Sequence, residues 1–133
     1  MSAMQRRKGA TWERELAAHL RSEGIQAQRG IGQARRSSEV PDVDVAGWWI
    51  EAKRHQRTNP KAALQQAIAD AAENGEGRIP VAVCRDNGQP LQAATVTLRL
   101  GDWIQLVRDR RIVDTVANVA ASAATDDECE MFG

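Results

Sequence analysis

Apolar residues recur along this chain at two periods, and the switches between them divide it into elements. In "GATWERELAAHLRSEG", Trp12, Leu16, Ala17 and Leu20 fall at i, i+4, i+5 and i+8, one face at helical period. Thr11 is the expected N-cap and Gly24 the stop. Residues 25–30, "IQAQRG", alternate as a first strand, and "IGQARRSSE" is a polar loop. Residues 42–46 and 48–53 read as two strands around Gly47. "NPKAALQQAIADAAENG" predicts a second helix, with Asn59 at the cap, Pro60 at the first position and Gly75 after the end. "IPVAVC" is wholly apolar, as a strand inside a sheet is; "AATVTLRL" alternates, and "GDWIQLVRDR" reads as a short amphipathic helix. Helix, three strands, helix, two strands, helix: the order predicts an α/β fold with a mixed sheet.

Composition narrows this only a little. A chain of 133 residues, 42% hydrophobic and 27% charged, is ordinary for one soluble domain. No apolar run approaches a membrane span, and "MSAMQRRKGATWERE" lacks the apolar core of a secretory signal. Cys84 and Cys129 are far apart without metal-ligand spacing, so free thiols in a reducing cytoplasm are expected, and no zinc. The zero net charge hides an asymmetry: residues 1–61 hold twelve Lys/Arg against seven Asp/Glu, residues 62–133 six against eleven. A basic first half suggests a polyanionic partner. The acidic tail "ATDDECEMFG" has no periodicity and is expected to be disordered.

The exception to the pattern lies in "EVPDVDVAGWWIEAK", where an apolar segment carries Asp42, Asp44, Glu51 and Lys53. Side chains alternate faces on a strand, so Val43 and Val45 oppose Asp42 and Asp44, and Trp48, Ile50 and Ala52 oppose Trp49, Glu51 and Lys53. A tight hairpin with Ala46–Gly47 as its loop pairs Val45 with Trp48, Val43 with Ile50 and Asp42 with Glu51; a longer loop shifts that register. Directly opposed residues have Cβ atoms roughly 4.5–5.5 Å apart, and like charges placed so repel. A divalent cation held by one or two carboxylates and waters relieves that repulsion. Asp42 is the better ligand on this register, with Asp44 a near alternative. Lys53 leaves the strand on the side of Glu51, where an ammonium can stabilise charge developing on a phosphate. On the leading helix, Glu13 shares the angular band of Trp12, Leu16, Ala17 and Leu20, whereas Glu15 falls on the opposite, solvent face. A glutamate within an apolar stripe needs a partner or a metal.

These residues carry a resemblance. "PDVDVAGWWIEAK" resembles the PD-(D/E)XK nuclease superfamily, and "KGATWERELAAHLRSEG" is similar to the first helix of archaeal-type Holliday junction resolvases and related small phage nucleases. The resemblance covers about residues 8–84. It implies a restriction-endonuclease-like fold, a central mixed sheet flanked by helices, filling a single domain over residues 1–120 with a tail at 121–133. It also implies a Mg2+ requirement, with Mn2+ as substitute, and DNA phosphodiester cleavage. By this likeness Asp42, Glu51 and the Ala52 carbonyl hold the metal, and Glu13 closes the site. Lys53 then stabilises the activated nucleophile. "NPKAALQQA" is similar to a phage and prophage branch in which a helix glutamine faces the site; Gln66 matches it, with Gln65 as the alternative.

The reading is a metal-dependent endonuclease of branched DNA, a four-way junction in particular, acting as a homodimer in the cytoplasm (of a bacterial host, for a phage protein). Its rivals are a phage-type nicking or end-processing nuclease on other DNA and a non-catalytic DNA-binding module. Arg35 and Arg36, with Arg54 and Arg57 in "KRHQRTNPK", read as a phosphate track against plain solvated charge. Trp48 is expected in the core, and Trp49, on the carboxylate face, is the only tryptophan placed to touch substrate. His19 and His55 are expected to be solvated or structural.

Overall fold

The computed structural model describes residues 3–30 and 40–109. Helix α1 (Ala3–Ser22) leads into β1 (Gln28–Arg29), β2 (Val43–Val45) and β3 (Trp48–His55); α2 (Pro60–Asn74) then crosses to β4 (Ile79–Asp86), and a 3-10 turn (Leu91–Ala93) precedes β5 (Thr95–Thr97). A last helix, α3, occupies residues 100–109 of those described. The chain divides into two compact units, Met1–Leu98 and Arg99–Gly133, and the sheet belongs to the first. The domain limit expected at residue 120, the tail beyond it, and Arg35 and Arg36 lie outside the described residues.

Among the described residues five strands lie in the order β1-β2-β3-β4-β5. Only β3 and β4 run parallel, joined by α2 as parallel neighbours require. The mixed α/β sheet read from the pattern is therefore the fold. The hairpin takes the tight register, with Val45 opposite Trp48, Asp44 opposite Trp49 and Val43 opposite Ile50. Gly47 has φ +86°, and Ala46 is not among the residues of positive φ. Positive φ at the second central residue alone is the type II arrangement, which a leading alanine tolerates and a type I′ turn would not.

The period-2 alternation of β3 sorts its side chains between two helices. Val43, Ile50 and Ala52 pack with Trp12, Leu16 and Ala17 of α1 and with Val81 and Val83 of β4. On the other face Trp49 meets Ala67 and Ala71 of α2, and Ala63 meets Ala82 and Cys84. Three alanines at i, i+4 and i+8 give α2 a thin inner face, which lets it lie over an indole. Trp12 and Trp49 anchor the two layers at 0% and 2% exposure. Burying an indole is worth roughly 4–6 kcal/mol as an upper bound.

Both helix ends of the second crossover are as the sequence predicts: Asn59 accepts from the Ala62 N–H at 3.1 Å, Pro60 opens α2, and Gly75 follows it. Helix α1 is longer than expected. It begins at Ala3, so Thr11 is an exposed interior residue and not the cap. Ala, Met, Gln, Arg and Lys in residues 3–8 all favour helix, and together they outweigh the cap preference of one threonine and the cost of Gly9. Its end does fall at Gly24, φ +82°, with Gly24 N–H donating to Arg21 O (3.0 Å) and Ile25 N–H to Leu20 O (3.0 Å), a Schellman closure.

Candidate active site

Past β2 the ladder is offset by one residue, a bulge: the Asp42 N–H donates to Ile50 O at 2.9 Å, while the Asp42 carbonyl turns to β1 and accepts the Gly30 N–H at 3.0 Å. Asp42 therefore stands beside Val43 opposite Ile50, not on the expected rung against Glu51; the two carboxyls meet through their side chains, which share a hydrogen bond. The Asp42 Oδ2 accepts the Ala52 N–H at 2.9 Å, so a side chain replaces the next rung of the ladder and fixes the carboxylate against β3. In an extended strand the N–H and C=O of one residue leave on the same side. The Ala52 carbonyl therefore faces the gap where β2 pairing ends, beside Asp42.

Glu51 is the one buried charged residue among those described, 4% exposed. Its Oε1 accepts from the Trp49 indole N–H at 3.3 Å, and its Oε2 lies 3.9 Å from Lys53 Nζ. Burial, then the charge of Asp42 and a hydrogen bond shared with that carboxyl, push Glu51 up to about 8, against the pull of Lys53 and the indole. Burial and the neighbouring Asp42 carboxyl outweigh the Lys53 ammonium 3.9 Å away, so Glu51 holds its proton where no further positive charge is present. That is the donor chemistry of a cation site. Among the described residues no cluster of three or more His, Cys, Asp or Glu side chains forms a ready-made cage. Mg2+ needs none, since it binds through one or two carboxylates and keeps several waters. The Asp42–Glu51 pair, with a carbonyl beside it, fits.

Glu13 reaches this group from α1. Burial raises its pKa most, the Arg29 hydrogen bond lowers it, and the charges of Asp42 and Lys53 act on it in opposite directions. Its Oε2 accepts from Arg29 Nε at 2.7 Å. Arg29 was not singled out in the sequence. It points at α1 because β1 pairs Arg29 with Val43, whose side chain lies on that face; an arginine aligned with the apolar side of a strand is the signal that could have found it. Asp44, the alternative ligand, is bound elsewhere, with Arg78 Nη1 2.8 Å from its Oδ1.

Three other expectations look different in three dimensions. Glu15 is not on a solvent face: its carboxylate joins Arg85 (2.8 Å) and Arg54 (3.5 Å). Arg54 accordingly lies on the α1 face of β3, away from Glu51 and Lys53, and is not brought to the candidate site. Trp49 is buried beneath α2 and presents no surface to a substrate. Gln65 and Gln66 are both exposed, and helix phase separates them. With Ala63, Ala67 and Ala71 inward and Leu64 packed towards β4, Gln66 lies on the flank away from β4 and Gln65 on the back. Arg57 and Gln56 are exposed beyond the end of β3, His55 is exposed as its last residue, and His19 is half-buried on α1.

Residues 4–61 match the family model of the archaeal Holliday junction resolvase, Hjc. That stretch contains Glu13, Asp42, Glu51 and Lys53, and the match bears out the resemblance to junction-resolving nucleases of the PD-(D/E)XK type. Among solved structures, Hjc from Archaeoglobus fulgidus, a Holliday junction resolvase from an archaeal hyperthermophile, is similar with TM-score 0.48 and 18% sequence identity, over 66% of this chain and 73% of that one. No curated protein matches the sequence.

Proposed function

We propose that the protein is a metal-dependent endodeoxyribonuclease that resolves four-way DNA junctions. The observation that carries this is the Asp42–Glu51 pair, two carboxyls held together on adjacent strands with Lys53 beside them. Asp42 and Glu51, with the Ala52 carbonyl, would hold Mg2+ or Mn2+. A cation bound there supplies Lewis acidity towards the phosphodiester and lowers the pKa of water.

The chain's own groups do the rest. Lys53, two residues after Glu51 on the same face, offers an ammonium to the charge that develops on the phosphate. Glu13, held by Arg29, closes the site from the α1 side and sets its net charge. Gln66, on the flank of α2, orients the attacking water by hydrogen bonding. Arg57, at the exposed end of β3, contacts the phosphate backbone and so positions the DNA without reading sequence. Each chain carries one such site, and a junction is resolved by two cuts, so the working form is a homodimer. No described helix is long and apolar enough to cross a membrane, and we place the reaction in the cytoplasm.

The test is cleavage of a labelled synthetic four-way junction against a linear duplex of matching arms, with Mg2+, Mn2+ or chelator, for wild type and Glu51→Gln. Paired, symmetric, metal-dependent nicks at the junction that vanish in Glu51→Gln are expected. Equal cutting of both DNAs would replace the resolvase with a general nuclease, and binding without cutting would leave a DNA-binding module.

A further inference from the structure

We infer that Trp49 is a positioning residue for the Glu51 carboxylate, fixing which oxygen of that ligand is presented to the cation. The inference rests on the nuclease reading above. Trp49 and Glu51 lie two residues apart on β3 and so share a face. The indole N–H donates to Glu51 Oε1 at 3.3 Å, and both residues are buried, at 2% and 4% exposure. The ring cannot swing away, because Ala67 and Ala71 of α2 close over it.

The chemistry of the donor suits the task. An indole has one N–H and no lone pair to offer, so it can neither ligate the cation nor lend a proton to the reaction. It occupies Oε1 alone. Oε2 is left on the side of Lys53, and Asp42 shares the same small space. Without the bond, the carboxylate is free to turn about its last torsion, which is broad and roughly two-fold. Partners that orient a metal-binding group in this way typically account for roughly 10–100-fold in metal affinity.

The decisive variant is Trp49→Phe, which keeps an aromatic ring against Ala67 and Ala71 and removes the N–H together with part of the indole's volume. Mn2+ binding to the whole, DNA-free protein is measured by calorimetry for wild type, Trp49→Phe and Glu51→Gln, alongside thermal melting. The expected result is a dissociation constant raised roughly 10–100-fold in Trp49→Phe, in a protein that melts lower but cooperatively, with turnover on junction DNA restored by saturating Mn2+. Mn2+ affinity equal to wild type in a folded Trp49→Phe overturns the inference. Wild type that binds no Mn2+ overturns the nuclease reading itself, and this inference with it. A second measurement needs no variant. In the 15N–1H spectrum of wild type, Mg2+ should move the Trp49 indole resonance and leave those of Trp12, Trp48 and Trp103 in place. Mg2+ binding that leaves the Trp49 resonance unmoved overturns the inference as well.

Discussion

Asp42 and Asp44 stand two residues apart at the start of one hairpin and differ completely in what surrounds them. Asp44 is a third exposed and ends in a direct ion pair with Arg78 across to the start of β4. Among the described residues no arginine pairs with Asp42; its side chain accepts the Ala52 N–H and hydrogen-bonds the buried Glu51 carboxyl. An acid that has found its counterion is finished as a structural element, whereas an acid pressed against another acid still needs a cation. Of the two aspartates, the one that no described cation pairs with is the candidate ligand. Sequence alone shows the charges; only the register and the Arg78 contact show which of them is already satisfied.

That contrast can be broken from either side. The largest effect is expected from Asp42→Asn or Glu51→Gln, each lowering junction cleavage on the order of 10³-fold, the scale of losing one electrostatic contact to a transition state. Cleavage rates at saturating DNA read this directly. Next comes Gly30→Ala, because a Cβ at Gly30 would run into the carbonyl oxygen of Pro41, the residue before Asp42. Relief of that overlap must move β1 or the start of β2, at a cost of about 1–3 kcal/mol in urea unfolding, with Asp42 displaced and cleavage lowered.

The metal-free protein should also show the shared proton as pH dependence. Glu51 titrates near 8 in the fold against 4.5 for the ordinary side chain, so the folded state holds the proton more tightly. The stabilisation is full below about 4.5 and is lost as pH rises through about 8. Melting in chelator should therefore fall over that window in wild type and fall less in Glu51→Gln. The smallest effect belongs to Asp44→Asn, which removes a partly exposed ion pair worth less than about 1 kcal/mol and should leave cleavage within about twofold of wild type.

Much of the fold was legible because its signals are local. A two-residue turn, a period-2 strand pair and an Asn–Pro helix start each depend on neighbours in sequence, and all three are found where residues 42–60 predict them. The start of α1 was misjudged for a physical reason: a threonine resembles a cap wherever it stands, and the helix-forming run before it has to be weighed as a sum. The candidate site was legible as far as one hairpin reaches. Glu15 was misplaced because its partners, Arg54 and Arg85, come from two different strands, with Arg85 also lying over Trp12, 5.3 Å from the ring centroid. Arg29 was missed for the same reason, since it meets Glu13 only after β1 has paired and α1 has docked. Gln66 was separable from Gln65 only once the alanine face of α2 was seen to turn inward.

The short turn at Ala46–Gly47 has a further consequence for how this site can vary. With β2 and β3 joined by two residues, the offset between Asp42 and Glu51 is a discrete quantity. A slip of one residue would exchange faces, sending Asp42 beneath α1 and Val43 into the carboxylate pair. A slip of two would keep the faces and separate the carboxyls by about 6.8 Å along the strand. Adjustment of the gap is left to side-chain length, which this chain uses by placing the shorter acid on β2's side and the longer on β3: one methylene is the fine control on a spacing that the backbone sets only in whole steps.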